Sequence, residues 1–277
     1  MGLRINTNVA SINAQRSLSE TKGGLEKAFQ RLASGQRINR AQDDAAGLAI
    51  SENLRGQLRS LTQAGRNAED GISLVQVAEG AVNEISNILI RLRELSIQSA
   101  SDTIGNRERG FLDLEFQALK EEIQRITETT RFTGTQLLDG SGGVLEVQVG
   151  IYNDDFQDRI NIDTGKSNTN LDTLKIKEVS ISQKESAQNV LTNLDMAIAH
   201  VASVRSNYGA FQNRLESTMK NIAIFHENLS AANSRIRDAD IAKESAELTR
   251  GSIMQQASVS VLAQANAIPQ TALKLLQ

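Results

Sequence analysis

From Ala45 to Ser99 the chain carries no proline and keeps one apolar rhythm throughout. Ile50, Leu54, Leu58, Leu61, Ala68, Ile72, Val75, Val82, Ile85, Leu89, Leu92 and Leu95 fall on a single, slowly drifting stripe, with Glu52, Arg55, Arg59, Glu69, Glu84, Arg91 and Arg93 mostly off it. That spacing marks a helix with one buried face, and near 3.5 residues it marks a coiled coil. A helix of this length reaches on the order of 80 Å. No compact domain of this size buries such a rod centrally, so the rod requires long helical partners.

The sequence offers one. Leu194, Ile198, Val201, Val204, Tyr208, Phe211, Leu215, Met219, Ile222, Phe225, Leu229, Ala232 and Ile236 follow one another by threes and fours, about 3.5 residues per step. The two helices are expected to lie antiparallel, because the intervening region lets the chain turn back. That region begins with a helix from about Arg107 to Thr130 (Leu112, Phe116, Leu119, Ile123 and Ile126) and a glycine-rich loop over Phe132 to Gly143. Leu145, Val147, Val149 and Ile151 then alternate with polar residues or glycine, and Ile160 and Ile162 repeat the alternation, which predicts a β-hairpin. A polar connection follows to about Lys184, with a short strand expected at Leu174 to Ile181.

Ahead of the long helix, Ile5, Val9, Ile12, Leu18, Leu25, Phe29 and Leu32 predict a first helix, softly interrupted at Gly23-Gly24. Turn chemistry over Ser34 to Arg40 ends it. Asp43 and Asp44 sit where the long helix begins, as caps complementing the helix dipole; no third ligand or histidine stands near to make them a metal or acid–base pair. The fold class is therefore mainly α: a long antiparallel helical coiled-coil bundle with a small β-hairpin region.

Composition narrows the function. Aromatics are 3% of residues, tryptophan and cysteine are absent, and the net charge is −3. Thiolate and disulfide chemistry is excluded, and the core must rest on aliphatic side chains. His200 and His226 are far apart on a heptad-patterned helix, and neither a phosphate loop nor a nucleophile motif occurs. No catalytic, cofactor-binding or metal-binding residue is expected, and no cofactor. The basic start (Arg4, Arg16, Lys22, Lys27, Arg31, Arg37, Arg40 against Glu20 and Glu26) has the charge of a transit peptide or a nucleic-acid patch. Its charges run around the helix without stacking aromatics, so a solvated or subunit-facing helix fits better and no nucleic acid is expected. An apolar segment of secretory type is also missing near the start.

The tail is the most telling piece. No charge occurs between Arg250 and Lys274, while Ile253, Ala257, Val261, Leu262, Ala265, Ile268, Leu273 and Leu276 give an apolar face. Gln255, Gln256, Ser258, Ser260, Gln264, Asn266, Gln270, Thr271 and Pro269 make the run too polar for membrane insertion. A helix uncharged all round needs protein neighbours all round, and other copies of the chain supply them. Ile5, Val9, Ile12, Leu18, Ile253, Val261, Leu262, Ile268 and Leu273 are the expected subunit-interface residues.

Ser34-Gly35-Gln36-Arg37-Ile38-Asn39-Arg40-Ala41-Gln42-Asp43-Asp44-Ala45-Ala46-Gly47-Leu48-Ala49-Ile50 resembles the signature of the bacterial flagellins. So do Ser234-Arg235-Ile236-Arg237-Asp238-Ala239-Asp240, Leu262-Ala263-Gln264-Ala265-Asn266, Pro269-Gln270 and Leu275-Leu276. The alternatives are a hook–filament junction protein, which shares the coiled-coil ends, or another scaffold coiled coil. The resemblance implies a non-enzymatic, extracellular structural subunit that polymerises into the helical filament used for swimming. It implies an inner coiled-coil layer from residues 1–42 and 236–277. The next layer would combine the helices and hairpin of 43–185 with the helix of 186–235. Only about 20 residues separate Ile162 from Glu185, the interval where larger flagellins insert outer domains, so this is a short form. Expected partners are further copies, the flagellar export apparatus, an export chaperone and the filament cap. The family further implies contact with the animal flagellin-sensing Toll-like receptor through an arginine, a leucine and a glutamate. Ile90 to Gln98 places the first two roles on Arg91 and Leu95, and alignment at Thr130 to Gly134 places the third on Glu115.

Overall fold

The computed structural model describes the backbone of residues 7–274 and the side chains of residues 7–267. Its elements are α1 (Val9–Ser34), α2 (Ala45–Ala100), α3 (Asn106–Thr129), β1 (Arg131–Phe132), β2 (Thr135–Gln136), β3 (Val144–Gln148), β4 (Arg159–Asp163), α4 (Lys184–Arg237) and α5 (Ile241–Lys274). The chain is mainly helical, with two small antiparallel hairpins, β1–β2 and β3–β4. It gathers into two compact units. One contains the residues up to Leu58 and those from Glu227 onward, and the other is Arg59–His226.

Within Arg59–His226 the expected antiparallel pairing of the long helices is present. Arg93 pairs with Asp195, Glu79 lies against Arg205, and the hollow above Gly71 and Gly65 is met by Leu215 and Ile222. As positions fall along α2 they rise along α4. The shared core is mostly aliphatic, with Phe116 and Tyr208 its largest buried side chains. Val75, Val82, Ile85, Leu89, Leu92 and Leu95 of α2 are buried with Leu194, Val201, Val204, Tyr208 and Leu215 of α4. Phe116 and Ile123 of α3 close the third side.

Buried Arg109 ties α3 to the end of α2. Its Nε donates to the Ser99 carbonyl at 2.8 Å, its Nη2 to the Ser101 carbonyl at 2.8 Å and its Nη1 to Asn106 at 2.7 Å. Those carbonyls belong to a helix C-terminus, where no intrahelical donor reaches.

Four expectations need correction. First, α1 runs through Gly23-Gly24 unbroken. Two glycines cost about 2 kcal/mol of propensity, but α1 is held to α5 on both sides of them, by Ser11–Asn266 and by Arg31–Glu244. Second, the strand expected to reach Ile151 stops at Gln148. The amides of Val149 and Gly150 both donate to the Asp158 carbonyl, at 2.8 and 3.0 Å, which ends the ladder. Third, Leu174 to Ile181 is not a strand. Side chains of α3 take up its backbone groups instead: Lys120 Nζ donates to the carbonyls of Lys177 (2.7 Å) and Val179 (2.9 Å), and Asp113 accepts from the Ile181 amide (2.8 Å). Fourth, the β1–β2 hairpin starts at Arg131 and runs into Phe132 to Gly143, expected as loop.

Of the two aspartates expected as caps, Asp44 caps α2, whereas Asp43 closes the turn that precedes it. Asp44 Oδ1 accepts the Gly47 amide at 2.8 Å, and Asp43 Oδ2 accepts the amides of Asn39 and Arg40. The Arg40 amide is the main reason the Asp43 carboxyl sits below its ordinary range. A Cβ at position 47 would lie 2.4 Å from Asp44 Oδ2 and 2.8 Å from Ile38 Cδ1, so any larger residue there displaces the cap.

Candidate assembly surface

α1 and α5 form the terminal pair, and four contacts fix their direction. Asn8 Nδ2 donates to the Ala265 carbonyl at 2.8 Å, and Ser11 Oγ to Asn266 Oδ1 at 2.8 Å. Leu25 packs where a Cβ on Gly251 would stand, and Arg31 pairs with Glu244 at 3.1 Å. The helices are therefore antiparallel. Asn8 also caps α1, its side chain accepting the Ser11 amide.

Small or polar groups mostly line the closed side of this pair. Ser11, Ala28, Glu244 and Ala265 are the buried residues, and Gly251 lets Leu25 approach. The large apolar residues mostly face outward. Val9 and Ile12 are each 55% exposed, Ile253 60% and Val261 58%, while Leu18 and Leu262 are half-buried. Phe29, Met254 and Val259 join the exposed set. Ile5 lies outside the described residues, as do the side chains of Ile268 and Leu273. The expected interface residues include Val9, Ile12, Ile253 and Val261 of this face but not Phe29, Met254 or Val259, nor the small residues that do the pairing. Ala28, Gly251 and Ala265 were the available signal.

The breaks between α1 and α2 and between α4 and α5 meet. Gln36 and Asp238 form an isolated antiparallel bridge. The Arg37 amide donates to the Arg237 carbonyl at 2.7 Å, and the Ala239 amide to the Gly35 carbonyl at 2.9 Å. Gly35, with φ of 68°, supplies the left-handed residue that ends α1.

The three residues singled out as a receptor contact are all placed in Arg59–His226. Arg91 Nη2 donates to Glu115 Oε1 at 2.9 Å and Nη1 to Glu94 at 3.0 Å, so arginine and glutamate are brought together on the surface. Leu95 is 1% exposed and belongs to the core. His200 lies 2.9 Å from the Asn168 carbonyl, a structural contact, and His226 is half-buried. Among the described residues no group of three histidines or carboxylates is placed to hold a metal ion, and no helix is long and apolar enough to cross a membrane.

Comparison with known proteins gives these surfaces a context. The bacterial flagellin N-terminal helical region matches residues 5–142, and the bacterial flagellin C-terminal helical region matches residues 191–276. The flagellin of Halalkalibacterium halodurans is 45% identical over 273 residues, 99% of each chain. That of Bacillus subtilis is 41% identical over 99% of this chain and all of its own. The flagellar filament 30.7 kDa core protein of Treponema maltophilum is 40% identical over 98% of this chain and 99% of its own. The crystal structure of Bacillus cereus flagellin superposes with a TM-score of 0.51 at 30% identity, covering 57% of this chain and 88% of that one. A chain from Vibrio parahaemolyticus described as a flagellar hook-associated protein gives a TM-score of 0.58 at 15% identity, a likeness of fold alone. Full-length identity thus favours the filament over the hook–filament junction, and the chain belongs to the bacterial flagellins, structural subunits of the flagellar filament.

Proposed function

We propose that the terminal pair, residues 1–42 with 236–277, is the inner layer of the filament, buried by further copies of the chain. Residues 43–185 and 186–235 then form the layer outside it. One observation carries this reading. In the single chain, Val9, Ile12, Ile253, Met254, Val259 and Val261 stand exposed on helices whose own closed side is built from small residues. A filament grows by a heterologous contact that does not close into a ring, and burial of such side chains is worth roughly 25 cal/mol per Å². Polymerisation supplies the cover that the chain does not supply to itself. The same sticky C-terminal helix is suited to an export chaperone before assembly, to passage through the flagellar export apparatus to the cell exterior, and to insertion beneath a filament cap. On the outer layer, Arg91 and Glu115 are the surface groups for the Toll-like receptor of animals, with Leu95 behind them.

Val261→Asp tests the inner layer. Val261 is a cleaner position than Leu262, which is half-buried within the chain. A carboxylate at 261 meets water in the monomer and an apolar interface in the polymer, where an unpaired charge costs several kcal/mol. The variant is expected to keep the parent's circular dichroism and to stay soluble where the parent gives long tubes by negative-stain microscopy. Normal tubes from Val261→Asp would refute the reading.

A further inference from the structure

We propose that Arg37 and Arg237 form a register lock, setting the offset between α1 and α5 so that every subunit presents the same terminal pair to its neighbours. The proposal rests on the inner-layer reading above. α4 ends at Arg237, and its last carbonyls have no intrahelical donor. Arg37 supplies three. Its Nε and Nη2 both donate to the Ile236 carbonyl, at 3.2 and 2.7 Å, and its amide takes the Arg237 carbonyl at 2.7 Å. The guanidinium also places positive charge at the negative pole of the helix. Arg237 answers in the other direction: Nε donates to Gln36 Oε1 at 3.1 Å and Nη1 to Glu52 Oε1 at 2.7 Å, with its side chain only 16% exposed. Between the two arginines runs the Gln36–Asp238 bridge.

α1 leads into this crossing and α5 leads out of it, so the crossing fixes their offset. The pair itself specifies register weakly. Its closed side includes Ala28, Gly251 and Ala265, which accept several offsets, and coiled coils rely on polar or charged contacts to choose one. Those contacts are Arg31–Glu244 near the crossing and, beyond Gly251, the hydrogen bonds of Asn8 and Ser11. In a monomer a one-turn slip breaks these contacts once. In a helical polymer the same error recurs at each heterologous contact, so the lock acts on assembly more than on monomer stability.

The chain has no cysteine, which makes register directly readable. Ser11→Cys/Asn266→Cys reports the observed offset, and Ser11→Cys/Leu262→Cys reports a one-turn slip. Disulfide closure is measured in soluble and pelleted fractions, alongside the critical concentration for polymerisation and far-UV circular dichroism. In the parent background the first pair closes and the second does not. Combined with Arg37→Ala/Arg237→Ala, closure shifts toward the second pair and the critical concentration rises about tenfold. Arg37→Lys keeps the cation but not the two-pronged contact, so it gives an intermediate shift and holds the test should the alanine variant unfold. Unchanged closure in the arginine variants overturns the lock. Shifted closure with an unchanged critical concentration leaves the lock standing and overturns the inner-layer reading instead.

Discussion

Arg91 holds Glu115 through Nε and Nη2 and Glu94 through Nη1, with about half of its side chain in water. Glu115 first, then Glu94, raises the guanidinium above its already high range. Solvent screens such a pair, so it orients the arginine more than it stabilises the fold. Leu95, one turn on, is a different kind of residue. It is buried, and truncating it would cost about 2–5 kcal/mol through a cavity, so loss of signal from Leu95→Ala would confound unfolding with lost contact. Arg91→Ala separates the two. The melting temperature is expected to stay at the parent's value, while activation of the Toll-like receptor by monomer falls roughly tenfold, as for an interface arginine of average weight. Equal activation by parent and variant would remove Arg91 from the contact.

The helix α3 shows how one element serves two neighbours. Leu112, Phe116, Leu119, Ile123 and Ile126 face the core, and the sequence makes that stripe plain. A second stripe, Asp113, Gln117, Lys120, Gln124 and Thr127, has the same spacing but reads as a solvated face. It holds the connection from Thr169 to Ile181 by bonds to its backbone or, at Thr169, to its hydroxyl. A strand was expected there because the apolar pattern of Leu174, Ile176 and Ile181 is real; what sequence alone could not show is that α3 side chains, not a neighbouring strand, satisfy the backbone. The unbroken α1 was hidden for a related reason, since its support comes from α5. Lys120 is the centre of this arrangement. Its Nζ donates to Gln117 and to the carbonyls of Lys177 and Val179, and burial pushes its pKa below the ordinary 10.5, partly opposed by Asp113. Lys120→Met removes the donor to three partly buried acceptors and is expected to cost about 1–3 kcal/mol in urea unfolding near neutral pH. The pH dependence follows from the sign of the shift. As pH rises toward 10.5 the native chain gives up the Lys120 proton before the unfolded chain does, so the parent gains stability relative to the variant over that range. A parent that loses ground there would mean that the pocket favours the ammonium.

For the molecule as a whole, the two kinds of surface were unequally legible. Long stripes at coiled-coil spacing disclose which helices must pair, because burial of one face is a local pattern. The assembly surface is not local: whether Val261 or Leu262 faces a neighbour depends on how α5 rolls against α1, and small residues such as Gly251 and Ala265 decide that roll. The uncharged run from Gly251 to Leu273 carries Ile253, Met254, Val259 and Val261, all exposed beside α1. A deletion within α5 tests what that helix contributes. Removing Ser252 to Gln277 takes away the partner of the first half of α1, including the Ala265 and Asn266 contacts to Asn8 and Ser11. The core of Arg59–His226 draws on α2, α3, α4, the β3–β4 hairpin, Leu137 and Leu138 of the loop before it, and the connection, and none of its residues lies in the deleted segment. The truncated chain is therefore expected to be soluble and largely helical, with the core's cooperative thermal transition at the parent's temperature. Its ellipticity should fall by the deleted turns and by those of α1 that lose their partner. Sedimentation should show a monomer at concentrations where the parent pellets as filament, because half of the terminal pair is gone and no other helix of the chain can replace it. Long tubes from the truncated chain would place the driving contacts in the outer layer, and a lost core transition would show that α5 supports the fold of the monomer as well as its assembly.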